Sequence, residues 1–131
     1  MMKRILAILL TAALLLGSLM ITAASADRMY LIPDSDSRKL TEEELWEWDY
    51  ESIGYIMNEI FARHGYIFQS GGKYEYYFSC MPWYEPGVNK TGQPYSDKEW
   101  YNQNLCKKVR QDMRDMNTTN TGKNSVWTDY I

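Results

Sequence analysis

The chain has 131 residues, with 14 Lys and Arg against 17 Asp and Glu, a net charge of −3 and a single His. That length holds one domain, and the acidic balance excludes nucleic acid as a partner, because backbone binding needs clustered cations to neutralise phosphates. One His and two Cys are too few ligands in suitable spacing for a metal site, and no cofactor is expected.

In chain order, Lys3 and Arg4 precede an uncharged apolar run from Ile5 to Ala24 that closes on Ala24-Ser25-Ala26. This is the layout of a secretory signal peptide over residues 1–26, cut after Ala26 to leave Asp27 as the mature N-terminus. No Cys falls in that stretch, which excludes a lipid-anchored signal. A run of about 20 residues is also long enough to span a bilayer uncut. An N-terminal anchor with the domain outside therefore stays open, although Gly17, Ser18 and Thr22 dilute the second half of the run and favour cleavage. Without Lys3 and Arg4 the mature part keeps 12 basic and 17 acidic side chains, a net charge of about −5, and no membrane association is expected of it.

All of the 11 Tyr, 5 Trp and 3 Phe lie after residue 26. Two readings of this density stay open: a small domain packing its core with large rings, or some rings exposed to stack on a ligand such as a sugar.

Residues 27–39 are polar, carry Pro33 and show no period, so they read as a leader or linker. The domain is expected to run from Leu40 to Met116. Thr41 and Glu44 form a capping box, and Leu40 and Leu45 take the positions of a hydrophobic staple. From Trp46, the residues Tyr50, Ile53, Met57, Ile60, Phe61 and His64 share one sector about 100° wide, with Glu51, Asn58, Glu59, Ala62 and Arg63 outside it. This predicts an amphipathic helix or a broken pair of helices, ending where Gly65 takes the left-handed C′ position.

Ser70-Gly71-Gly72 predicts a turn and Lys73 to Ser79 a short aromatic helix, while Pro82 and Pro86 hold Trp83-Tyr84 extended. Tyr95, Ser96, Glu99 and Trp100 repeat the staple and box, so a second main helix starts at Ser96. Its apolar side collects Tyr101, Leu105, Cys106, Val109, Met113 and Met116, with Asn102 on the same side, and it should end near Asn117. Residues 117–131 are a polar tail whose apolar end, Val126, Trp127, Tyr130 and Ile131, docks back or serves as a contact peptide. The fold class is mainly all-α: a small single domain of two main helices, a short aromatic helix and Pro/Gly-rich loops.

Cys80 and Cys106 both follow the export signal, where disulfides form. One bridge would close a loop of about 27 residues, worth roughly 3 kcal/mol in the chain-entropy model. Two free thiols are the alternative.

The stretch Phe61-Ala62-Arg63-His64-Gly65-Tyr66 resembles the YARHG domain, a presumed extracellular module of bacterial proteins. Asn58-Glu59-Ile60, Phe68, Tyr77-Phe78, Trp83-Tyr84-Glu85-Pro86 and Glu99-Trp100-Tyr101-Asn102 follow the family's further elements in order and spacing. The resemblance covers Leu40 to about Met116, with Phe61 standing where the family usually has Tyr. It implies no established molecular role.

A catalytic reading would centre on His64 as general acid or base with Glu59 or Glu99 as partner. Glu59 sits about 140° around the helix from His64, and no nucleophile motif of known type accompanies them. The expectation is therefore a non-catalytic module, with no catalytic residues and with a small secreted hydrolase using His64 as the alternative. Asn58, Phe61, Ala62, Arg63, His64, Gly65, Tyr66 and Asn102 are read as fold determinants, with His64 reaching carbonyls or Asn102. Arg63 is expected to pair with Glu59 along the surface or to fork onto carbonyls of the Trp83-Tyr84 turn. An exported acidic module rich in Tyr and Trp is expected to bind something at the cell envelope, a glycan, peptide or protein. Trp83, Tyr84 and Tyr95 are the candidate binding residues, because Pro82, Pro86 and Pro94 hold their loop out of regular packing.

Overall fold

The computed structural model describes residues 29–90, 92–119 and 124–126. The signal-peptide reading of residues 1–26, and Trp127, Tyr130 and Ile131, lie outside the described residues. The chain divides into two units, residues 1–30 and 31–131, and the helices belong to the second.

Four helices are described in it: α1 (Glu42–Trp46), α2 (Tyr50–Arg63), α3 (Lys73–Ser79) and α4 (Asp97–Asp115), with no sheet among the described residues. The mainly helical fold expected from the sequence is thus the one observed. Both capping boxes form: Thr41 accepts from Glu44 N and Ser96 accepts from Glu99 N, and each N3 glutamate reaches back to its cap's main chain. The stretch after Trp46 is a broken pair of helices. Asp49 opens α2, its Oδ1 accepting from Ser52 N at 2.8 Å, and the donors freed at the break go to the chain beyond α4. Asp49 N donates to Asn124 O and Tyr50 N to Thr119 O, while Asn124 N donates back to Glu47 O. Val126 follows into the interior, its N–H donating to the buried Ser52 Oγ at 2.8 Å.

Helix α2 is buried on two sides, which a single apolar sector does not capture. Ile53 and Ile56 pack with Leu40, Leu45 and the α4 residues Leu105, Cys106, Val109 and Met113. Tyr55 and Ala62 pack with Phe68, Tyr77, Phe78 and Val126 in an aromatic cluster built on α3. Glu59 and Ala62, expected outside the apolar sector, are consequently buried. On α4 the reverse occurs. Tyr101 and Met116 are exposed, the first because it lies at the edge of the apolar side and the second because it is the C-cap.

Residues 31–39, read from composition as a linker, are held against the helices by buried polar side chains. Asn102 is fully buried; its Oδ1 accepts from Leu40 N at 2.8 Å and its Nδ2 donates to Ser35 O and Arg38 O at 2.7 Å each. Glu59 accepts from Leu31 N at 2.8 Å and Ile32 N at 3.3 Å, and Ile32 is itself buried. A polar, aperiodic segment is thus ordered through its main chain, a contact that composition does not report.

The expected disulfide is corrected: Cys80 and Cys106 are free thiols. Cys106 is buried on the core side of α4, where desolvation pushes its thiol up to about 12. Cys80 is exposed at the C-cap of α3, its Sγ–H donating to Tyr76 O. The two sulfurs belong to different environments, one inside the helix packing and one on the surface.

Candidate functional site

The six-residue stretch from Phe61 to Tyr66 is the C-terminal cap of α2. Helix α2 ends at Arg63, with His64 as C-cap and Gly65 at φ +74°. Gly65 N donates to Ala62 O at 2.9 Å and Tyr66 N to Phe61 O at 3.2 Å, the paired bonds of a Schellman motif. The apolar contact that accompanies such a motif joins the Phe61 and Tyr66 rings, 5.5 Å apart. Gly65 is required twice over. Its φ lies in the left-handed region, and a Cβ there would meet Val88 O at 2.3 Å and Glu85 O at 2.8 Å. The 85–88 turn sits on this glycine, Gly87 N donating to Gly65 O at 2.8 Å.

From this cap the motif side chains diverge. Arg63 donates through Nη2 to Ile32 O and Pro33 O, at 3.1 and 3.0 Å, with Asp36 and Glu59 each 3.6 Å away. It forks onto carbonyls, as one of the two expectations had it, but those of the N-terminal segment. Its partner Glu59 is buried, and burial pushes that carboxyl up to about 7. His64 Nε2 lies 2.7 Å from Glu99 Oε2, both side chains being 7% exposed. Its partner is therefore Glu99, one of the two carboxylates weighed for a catalytic pair, while Asn102 is committed to residues 35–40. The other Glu99 oxygen accepts from Ser96 N, so the same carboxylate caps α4 and ties the end of α2 to its start. Asn58 donates to Gly54 O within its own helix.

A chain of rings surrounds the imidazole. Tyr95 packs on His64 at 4.4 Å and on Phe61 at 5.4 Å, and Trp100 meets Tyr95 at 5.2 Å. The strip therefore runs Trp100, Tyr95, Phe61, Tyr66. Its two ends are exposed, Trp100 at 46% and Tyr66 at 50%, with Ile67 and Val88 exposed as well. Of the three candidate binding rings, Tyr95 lies in this strip. Trp83 and Tyr84 belong to the aromatic cluster, packed on Phe78, with Tyr84 also against Phe68 and donating to Tyr66 O at 2.6 Å. Trp100 stands in the sequence as a staple residue and within the Glu99-Trp100-Tyr101-Asn102 element, not among the candidate binding rings; helical spacing alone already places it on the exposed side of α4 with Asp97 and Asn104. A separate hollow of about 260 Å³ at Phe68, Gln69 and Gly72 to Glu75 is open, and its Lys73 pairs with Glu51.

Fold and site together define a small helical module organised around a buried His–Glu contact, a glycine-capped helix end and an aromatic strip. Residues 28–111 match the YARHG domain, and the chain belongs to that family, one of small, typically extracellular and non-catalytic modules. No curated protein and no solved structure matches the chain. No helix among the described residues is long and apolar enough to cross a membrane.

Proposed function

We propose that the protein is an exported, non-catalytic recognition module of the bacterial cell envelope, binding through the strip from Trp100 to Tyr66. The observation that carries this reading is the strip itself. Two large rings stand half-exposed at the ends of a connected strip, while the core buries Phe68, Tyr77 and Phe78, and Tyr and Trp are suited to binding surfaces because they offer broad rigid area with a polar tip. The layout of residues 1–26 supports export. The His64–Glu99 contact supports a positioning role for both, since one face of the imidazole carries Tyr95 and both Glu99 oxygens are engaged.

The test is retention of the purified protein on isolated bacterial envelopes, comparing wild type with Trp100→Ala and Tyr66→Ala. Both rings are half-exposed, but Tyr66 closes the Schellman contact and Trp100 the staple on Tyr95, so each variant should lose about 1 kcal/mol and stay folded under the assay conditions. Loss of retention by folded variants is expected; retention equal to wild type in both would remove the strip as the binding surface.

A further inference from the structure

Resting on that reading, we infer that the strip takes a neutral glycan, seating a pyranose unit on an exposed ring. Three observations select this chemistry. The first is the arrangement of polar groups. At 100° per residue, Asp97, Trp100 and Asn104 share one outer face of α4, all three exposed. A ring flanked by a carboxylate and a carboxamide meets both demands of a pyranose. Its C–H face lies on the indole, and the hydroxyls around its rim find an acceptor in Asp97 and a donor and acceptor in Asn104.

The second is preorganisation. The rings from Trp100 through Tyr95 and Phe61 to Tyr66 touch in succession, at 5.2, 5.4 and 5.5 Å between centroids and with planes turned by 67°, 81° and 50°, so one connected strip presents an exposed ring at each end. These rings are held in advance: Tyr95 by His64 and Phe61, Tyr66 by the Schellman turn and by Phe68 at 5.0 Å. Little ordering is left for binding to cost.

The third is exclusion by charge and backbone. A chain net charge of −3 opposes polyanions, and on the face itself Asp97 on one side of Trp100 and the exposed Lys107 two turns on leave no surplus of either sign to select a charged ligand. An extended peptide would gain most from a free sheet edge, and the described residues hold one isolated bridge and no sheet.

Chitohexaose, a neutral β-linked oligosaccharide, is the probe, titrated into the full protein by isothermal calorimetry and followed by amide chemical shifts. Binding should perturb the residues around Trp100 and Tyr66. It should weaken by about tenfold or more in Trp100→Ala and in Asp97→Ala/Asn104→Ala, and be unchanged in Tyr76→Ala, whose ring is 76% exposed on α3. No binding, or binding indifferent to Trp100, overturns the glycan assignment. The envelope experiment separates the two failures. If retention still depends on Trp100 and Tyr66 but is abolished by protease treatment of the envelopes, the strip recognises protein, so the recognition reading stands and the glycan inference falls. If retention is indifferent to both rings, both fall.

Discussion

Asn102 and Gln103 are adjacent amides on α4, both fully buried, and the structure assigns them opposite effects on stability. Asn102 satisfies three main-chain groups, Leu40 N, Ser35 O and Arg38 O, at 2.7 to 2.8 Å. Truncating it to Ala deletes the two bonds to carbonyls, at about 1 kcal/mol each net, and leaves the buried Leu40 N–H without an acceptor, at about 1 to 3 kcal/mol. Asn102→Ala should therefore cost about 4 kcal/mol, a large share of the stability of a small domain. Gln103 offers nothing comparable: neither Nε2 nor Oε1 has a hydrogen-bond partner among the described residues. Replacing it by Met, of similar length and shape, removes a buried polar head that gains nothing from burial and should stabilise by about 1 kcal/mol. Urea denaturation followed by far-ultraviolet circular dichroism reads both variants. Asn102→Asp is the control: it keeps the acceptor for Leu40 N but sets a carboxylate against two carbonyls, so it should be at least as damaging as Ala. A Gln103→Met variant that loses more than Asn102→Ala would refute the assignment of hydrogen bonds on this face.

Gly65→Ala should cost about 3 kcal/mol, from left-handed backbone strain and from a Cβ driven into Val88 O; a thermal melt unchanged from wild type would contradict the Schellman cap. His64→Ala should destabilise by about 2 to 3 kcal/mol through the lost bond to buried Glu99, with His64→Gln milder because it keeps a donor; equal loss in both would point to the Tyr95 stack as the main contribution. Thiol titration of the denatured, unreduced protein should find both cysteines, and in the native protein Cys80 should react fast and Cys106 slowly, since the latter is buried with its thiolate suppressed. Glu59, raised by burial from 4.5 to about 7, binds its proton in the fold over a range where the unfolded chain has lost it. Its contribution, up to about 3 kcal/mol, is complete below about pH 4.5 and lost as pH rises through about 7. Stability measured from pH 5 to 8 should thus fall less steeply in Glu59→Gln than in wild type, and parallel slopes would remove Glu59 as the cause.

Both capping boxes were legible in the sequence because they are local: a Ser or Thr, a Glu three residues on and flanking apolar residues specify a helix start without tertiary help. The glycine-terminated end of α2 and the short helix at Lys73 were legible for the same reason. The partners of Glu59, Arg63 and Asn102 were not. Each bonds to main-chain atoms 27 to 67 residues away, and main-chain atoms look alike in every sequence. A polar leader and an ordered one therefore have the same composition. The cysteines failed differently. Compartment and number argue that two thiols can pair, but only packing places Cys106 inside and Cys80 on the surface.

At the family signature, buried and exposed roles divide between neighbouring residues. Arg63, His64 and Gly65 are committed to the N-terminal segment, to Glu99 and to the 85–88 turn respectively, and a change at any of them is read first as lost stability. Tyr66 is the first residue past the cap, with its main chain fixed and its ring half in solvent. The cap thus aims a ring that it does not bury, joined through Phe61 to Tyr95, which packs on the buried imidazole. If the strip binds as proposed, substitutions at His64 should weaken binding only as far as they loosen Tyr95 and Tyr66, whereas Tyr66 and Trp100 should be exchangeable at a smaller cost in folding than Arg63, His64 or Gly65. On the proposed reading, specificity would be set by the exposed ends of the strip and by Asp97 and Asn104 beside them. Grafting different side chains at those four positions onto an unchanged Arg63-His64-Gly65 core should then change what is bound, and should lower the melting temperature less than a change at Arg63, His64 or Gly65.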